Sequence, residues 1–313
     1  MIPGQARYEV MMKGLYECEI LAQSEVGPGV VRTLLKGPKI AKEARPGQFV
    51  NVQVAKTTDP LLRRPFSVHA TYPGEGIYSL LYVLRGRGTA LLRKLMPKDK
   101  VSVVGPLGSA FDLGDSPDAE HVVVAGGCGA APLHFLCDAL CKKWGCEKVT
   151  VLAGAQSKDA VLCEAEFRSH GVEVGVSTDD GSYGHHGFVT QLLEEHLAKR
   201  SLSPSPQPSP GRRGNDSALA SILNPQPSTQ GSRLRVYSCG PHAMLREVYR
   251  VARAYGVQSC QVSLENVMAC GIGVCMGCVQ KVHGPGKCGE SEWHHERVCT
   301  DGPVFNAEDV VWE

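Results

Sequence analysis

The run Cys270-Gly271-Ile272-Gly273-Val274-Cys275-Met276-Gly277-Cys278, with Cys299 further on, sets three thiols at intervals of five and three and a fourth after a gap. Thiolates at the interval C-x4-C-x2-C…C hold a [2Fe–2S] cluster. A compact loop must aim several sulfurs at one inorganic group while its N–H groups point inward. Gly271, Gly273 and Gly277 stand between the thiols, where a side chain would obstruct that approach. The competing chemistry is a zinc knuckle, built from Cys275 and Cys278 plus two of Cys288, His294, His295 and Cys299. Zinc leaves Cys270 and the interleaved glycines without a purpose. For the fourth thiol there are two candidates. Cys288 sits in the hydrophilic turn Gly284-Pro285-Gly286-Lys287-Cys288-Gly289, whereas Cys299 ends Arg297-Val298-Cys299 just before Asp301-Gly302-Pro303. The better-anchored Cys299 is the expected ligand.

Four other groups could grip or face a nucleotide. In Arg63-Arg64-Pro65-Phe66-Ser67-Val68-His69, Arg64 can pair with a diphosphate by two parallel hydrogen bonds, and Ser67 can reach a flavin ring. The plain alternative is an Arg-Pro device at a strand edge. Gly88-Thr89, after Arg85-Gly86-Arg87, offers N–H groups and a hydroxyl to phosphate at a helix start; an ordinary threonine N-cap would look the same. Gly126-Gly127-Cys128-Gly129 follows an apolar run and precedes an apolar-periodic helix, the dinucleotide-binding arrangement without the strict G-x-G-x-x-G string. Cys239-Gly240-Pro241 closes another strand. That turn puts Cys239 at the ligand edge, where a thiol suits contact with a nicotinamide, although buried cysteine is commonly inert packing. His185-His186 and His294-His295 read as solvated loop residues and receive no role.

The elements that must position these groups change in texture along the chain. Residues 7 to about 113 carry short β-type runs at 30–35, 49–54, 77–84 and 101–104, with one short helix from Thr89 to Met96. That pattern predicts a closed antiparallel barrel. From His121 onward, apolar strands at 121–125, 149–154, 172–177 and 234–238 alternate with helices at 133–144, 161–170, 188–199 and 244–254. This predicts a doubly wound α/β unit, whose ligands lie beyond the carboxyl ends of the strands. The Ser-, Pro- and Gln-rich stretch 200–232 cannot bury enough apolar surface to order itself and reads as a disordered insertion. The expected division is 1–115 (barrel), 116–256 (α/β) and 257–313 (thiol segment).

At 313 residues the chain has room for these units, and a net charge of +1 gives no sign of a nucleic-acid partner. No apolar run reaches membrane-span length, and Met1 to Tyr16 lacks the pattern of a signal peptide. Thirteen cysteines, an odd and scattered number, do not read as a disulfide framework. A reducing cytoplasm is the expected location.

With these motifs in order, the chain resembles the ferredoxin–NADP reductase superfamily. More closely, it resembles the electron-transfer subunits of heteromeric, NAD-dependent type B dihydroorotate dehydrogenases. The resemblance rests on Arg64-Pro65-Phe66-Ser67, Gly88-Thr89, Gly105-Pro106-Leu107-Gly108, Ala125-Gly126-Gly127-Cys128-Gly129, Asp179-Asp180-Gly181-Ser182, Cys239-Gly240-Pro241, the four thiols and Asp301-Gly302-Pro303-Val304-Phe305. It implies FAD on the barrel, with Arg64, Pro65, Phe66 and Ser67 at the flavin. Leu81, Tyr82 and Val83 would lie along the adenosine, and Gly88 and Thr89 on the diphosphate. It implies NAD at Gly126, Gly127, Gly129, Cys239, Gly240 and Pro241, and the cluster on Cys270, Cys275, Cys278 and Cys299. It further implies an FMN-containing catalytic partner in a heterotetramer serving pyrimidine biosynthesis. Two rivals stand beside it: the small FAD and [2Fe–2S] subunit of an NADH-dependent ferredoxin:NADP oxidoreductase, and a non-enzymatic iron–sulfur redox sensor. The 200–232 insertion and a long loop from Cys278 to Cys299 depart from the family pattern.

Overall fold

The computed structural model describes residues 14–201, 234–284 and 292–312. Cys288 and nearly all of the 200–232 insertion lie outside them. Six strands close into a barrel: β1 (Gly14–Gly27), β2 (Val30–Lys36), β3 (Phe49–Val52), β4 (Arg64–Tyr72), β5 (Ile77–Val83) and β6 (Lys100–Leu107), in the order β1-β2-β5-β4-β3-β6. All neighbouring pairs are antiparallel. The side-chain period of two decides which residues fill it. Along β6, buried and half-buried positions alternate, so Val101 and Val103 point inward to meet Ile20, Val31, Val50, Val52, Val68 and Leu80. Two short helices belong to this half, α1 (Pro38–Glu43) and α2 (Arg87–Arg93).

The second half is a seven-stranded sheet. Its strands are β7 (Glu120–Gly126), β8 (Val149–Ala155), β9 (Glu173–Thr178), β10 (His185–His186), β11 (Leu234–Cys239), β12 (Ser259–Ser263) and, after the pair β13 (Val279–His283) and β14 (Trp293–Arg297), β15 (Val304–Asn306). The order is β10-β9-β8-β7-β11-β12-β15, parallel except for β15. A parallel sheet must be covered on both faces, which is why β7 is an unbroken apolar run. Val123 and Ala125 pack on one side with α3 (Ala130–Trp144) and with Phe167 of α4 (Glu164–Ser169). Val122 and Val124 pack on the other with α5 (Val189–Ser201) and α6 (His242–Ala254). Each such fully buried side chain contributes about 1.5–3 kcal/mol.

Three local expectations shift. α4 is shorter than the helix read over 161–170, because Val161 is extended and Cys163 adopts a left-handed φ of 60°. His185 and His186 pair with the end of β9 as β10, and His294 and His295 lie in β14 opposite β13, so neither pair is a loop. The thiol segment also has roots in the sheet. β12 and β15 extend the α/β sheet, and Leu264 N–H donates to the Pro303 carbonyl at 2.9 Å. Residues 264–303 therefore leave the sheet and return to it at adjacent strands.

Candidate cluster site and cofactor cleft

The four thiols expected to hold iron are brought together. Cys270 Sγ accepts hydrogen bonds from the N–H groups of Ile272 (3.5 Å) and Cys275 (3.4 Å). Burial pushes its pKa up. The N–H groups of Ile272, Cys275 and Val274 and the Cys275 thiol outweigh that and bring it down to about 6. At the other end, Val298 N–H donates to the Cys278 carbonyl (2.8 Å), which sets Cys299 beside Cys278. Cys299 is 1% exposed. Burial, then the hydrogen bond and charge of Cys278, push it up to about 12, opposed by the Gly273 N–H. The thiols thus form two pairs, 270 with 275 and 278 with 299. Among the described residues no three His, Cys, Asp or Glu converge on a point suited to a single metal ion. A two-iron cluster asks for pairs. Thiols crowded together with N–H groups aimed at sulfur fit a group that supplies cationic iron and takes thiolates.

The glycines do what the spacing required. Gly271 and Gly273 have φ of 69° and 83°, and a Cβ on Gly273 would lie 2.7 Å from Thr300 Cγ2. Arg297 braces the loop, donating to Gly273 O (3.1 Å) while its guanidinium holds Asp301 (3.0 and 3.3 Å).

On the barrel side, Arg64 and α2 meet. A Cβ on Gly88 would fall 2.6 Å from Arg64 Nε, so the glycine lets the guanidinium lie against the first helical turn. Arg64 Nη1 donates to Leu62 O at 2.6 Å. Pro65 and Ser67 are half-buried, whereas Phe66 turns inward and stands 5.0 Å from the Tyr82 ring. Tyr82 donates to Gln23 Oε1 (3.1 Å), so its side chain belongs to the barrel interior. Its neighbour Leu81 packs at the seam with the α/β half, and Val83 lies against the same cluster. Thr89 Oγ1 is occupied within its own turn, accepting from Arg85 N–H and Gly86 N–H at 3.1 and 3.3 Å.

Across the seam stands the glycine turn. A Cβ on Gly129 would sit 2.0 Å from the Cys239 carbonyl oxygen, and one on Gly126 would sit 2.4 Å from Met244 Sδ. A Cβ on Gly240 would sit 2.6 Å from Met244 Cε and 3.1 Å from Gly126 Cα, with Pro241 beside Gly126. Gly127 has a φ of 51° and open space around it. The two strand ends are therefore pressed together, with the half-buried Gly127 between them. Cys239 is 2% exposed; burial, then Glu265, push its thiol pKa up, while the Ser263 side chain hydrogen-bonds to it. The sequence reading missed three residues around it. Cys128 accepts a hydrogen bond from the Val83 backbone, linking the glycine turn to the end of β5. Glu265 is exposed in the loop after β12; burial of its carboxyl raises its pKa and Arg85 lowers it. Arg85 is the third, from the loop before α2. Cys128 and Arg85 stand in runs already singled out, but nothing local pairs them with Glu265, because the three meet only across the seam.

A six-stranded antiparallel barrel set against a parallel α/β sheet defines a ferredoxin–NADP+ reductase type of flavoprotein fold, here carrying a thiol segment at its carboxyl end. A ferredoxin NADP+ reductase from Neisseria gonorrhoeae shares that fold at 15% identity and TM-score 0.56, covering 77% of this chain and 92% of that one. The chain belongs to the family of dihydroorotate dehydrogenase B (NAD(+)) electron transfer subunits. It is 35% identical to the Desulforamulus reducens subunit over 302 residues, and 37% identical to the Geobacillus kaustophilus subunit over 301. Both alignments cover 96% of this chain and 100% of the relative. Residues 265–311 match the iron–sulfur cluster binding domain of dihydroorotate dehydrogenase B. A solved NADH-dependent reduced ferredoxin–NADP oxidoreductase, described for flavin-based electron bifurcation, is also similar: TM-score 0.71, 27% identity, 96% of this chain and 92% of that one.

Proposed function

We propose that the chain carries electrons between an FMN-bearing dihydroorotate dehydrogenase subunit and NAD+, within a cytoplasmic heterotetramer of pyrimidine biosynthesis. A bound flavin supplies the needed conversion, since it exchanges electrons singly with an iron–sulfur cluster and in pairs with nicotinamide. The observation that carries this reading is the gathering of Cys270, Cys275, Cys278 and Cys299 in a segment rooted in the α/β sheet.

The residues have separate tasks. The four thiols would hold the cluster, with the N–H groups of Ile272, Gly273, Val274 and Cys275 stabilising charge on sulfur. Arg64 would neutralise the FAD diphosphate beside Gly88 and Thr89, and Ser67 would face the flavin from β4. With the Tyr82 side chain turned inward, Leu81 to Val83 would meet the adenosine through their backbone. Gly126, Gly127 and Gly129 would let a dinucleotide approach the start of α3, with Cys239, Gly240 and Pro241 closing the nicotinamide end. Asp179 and Asp180 follow β9 at the same edge, where carboxylates favour ribose hydroxyls and repel a 2′-phosphate. That favours NAD over NADP. We keep 1–115, 116–256 and 257–313 as the proposed division, with β12 and β15 of the third unit sharing the sheet of the second.

Surface character supports a partner near the cluster. Val267, Ile272, Val274 and Met276 are exposed apolar side chains beside or between the thiols. Among the described residues no helix is long and apolar enough to cross a membrane.

The test compares the chain alone with the chain co-purified with its FMN partner. Alone, it should contain FAD and about two irons per flavin, reduce dyes with NADH, and leave dihydroorotate untouched. With the partner, it should pass electrons from dihydroorotate to NAD+. Dihydroorotate oxidation by the chain alone, or a preparation with zinc and no flavin, would overturn the reading. Ferredoxin-dependent NADP reduction in the purified complex would instead favour the oxidoreductase neighbour.

A further inference from the structure

We infer that Asn51 is a positioning residue that ties the thiol loop to the barrel strand next to the proposed flavin strand. The inference rests on Cys270 as a cluster ligand and on Arg64 to Ser67 as the flavin-facing run. Asn51 lies in β3, opposite Pro65 of β4 and Val104 of β6. It is 1% exposed. Its Nδ2 donates to the carbonyl oxygen of Cys270 at 3.0 Å, across 219 residues of sequence. Because the partner is a carbonyl, the amide must turn its nitrogen that way, which fixes where Oδ1 points.

Three observations separate this contact from ordinary packing. Gly271, next to the thiol, adopts a φ of 69°, and a Cβ there would come within 2.4 Å of Asn51 Nδ2. The loop thus leaves room for this amide. Asn51 Oδ1 is buried and has no hydrogen-bond partner among the described residues. A residue chosen only for stability would not bury an unmatched acceptor where an apolar side chain of the same size fits. The strand below it is also braced. Arg63 reaches Asn51 O at 3.5 Å and binds Ser102 through its carbonyl (2.7 Å) and hydroxyl (2.9 Å), which locks β3 to β6. Arg297 on Gly273 and Val298 on Cys278 support the loop from within the thiol segment, and Phe49 and Leu107 of the barrel pack in one cluster with Cys278 and Cys299. Asn51 reaches the loop from the barrel.

The consequence is geometric. The backbone of Cys270 is hydrogen-bonded to β3, and β3 is laddered to the Arg64–Ser67 run. Electron exchange between groups held on these two elements depends on their separation, and small displacements of reacting groups cost large factors in rate.

Asn51→Leu and Asn51→Val in the full chain test this. Neither can donate the hydrogen bond, and neither has more side-chain heavy atoms than asparagine. The expected result is a folded protein whose flavin is reduced by NADH at the parental rate. Cluster reduction should then follow about tenfold slower, with altered electron paramagnetic resonance of the reduced cluster. In iron-free protein, backbone hydrogen exchange across residues 270–276 should be faster than in the parent. Asn51→Leu should unfold at the parental temperature or higher, which a purely structural residue would not allow. Parental resonance, parental cluster reduction and parental exchange in both variants would overturn the inference. Absence of iron from the parent would instead overturn the ligand assignment beneath it.

Discussion

The proposal that Cys299 is the fourth thiol rests on its surroundings as well as on its spacing. It is buried, hydrogen-bonded to Cys278 and reached by the Gly273 N–H. Replacing it with serine should abolish the cluster's visible absorption and paramagnetic signal while FAD stays bound, whereas Cys288→Ser should keep both. Metal and flavin analysis of the two variants checks this. His69 makes a different residue-scale claim. It is 2% exposed, bonded through Nδ1 to Ser79 Oγ (3.0 Å) and stacked on His134 with centroids 4.5 Å apart. Burial first, then the charges of His134 and Arg32, push its pKa down to about 3. The unfolded chain takes up this proton near the ordinary histidine value, about 6.5. The folded chain takes it up only near 3, so the stability is complete above about 6.5 and is lost as pH falls towards 3. Urea unfolding at pH 7 and pH 5 should show the loss, and His69→Gln, which cannot take up that proton, should flatten it.

Elements locate the nucleotide turn more tightly than any motif string. Gly129, in the turn after β7, is closed in by the backbone of Cys239, which the β7–β11 ladder holds in place. Gly126 is closed in first by the flexible Met244 side chain. Gly129→Ala should therefore cost about 1–3 kcal/mol and weaken NADH binding at least about tenfold, with Gly126→Ala milder on both counts. Denaturant melts and NADH titrations compare them. The strands were legible because periods of two and unbroken apolar runs are written within a few residues. The short α4 was not, since nothing in Val161-Leu162-Cys163 announces a left-handed residue at Cys163.

At the scale of the molecule, the thiol segment is an excursion between two strands of one sheet, held at its roots and presenting apolar side chains at its tip. Val267 is 84% exposed and Val274 76%. Aspartate at both positions should lower the yield of complex with the FMN partner, because a desolvated charge opposes an apolar contact. NADH–dye activity of the chain alone should be unchanged for Val267→Asp, since Val267 lies outside the thiol run. Co-purification yield and dye reduction, measured on the same preparation, separate the two effects.

By itself the sequence determined the thiol interval, the glycine turns, the change from barrel to α/β texture and hence the class of cofactors. Each is encoded by neighbours along the chain. Only the tertiary structure decided which residues meet: Asn51 against Cys270, Cys128 against Val83, Glu265 near Arg85 and Cys239. It also decided that β12 and β15 complete the α/β sheet. A residue's type states what it can bond, but its partner is chosen by how strands far apart in sequence stack, and that choice is made by the packing of the whole chain.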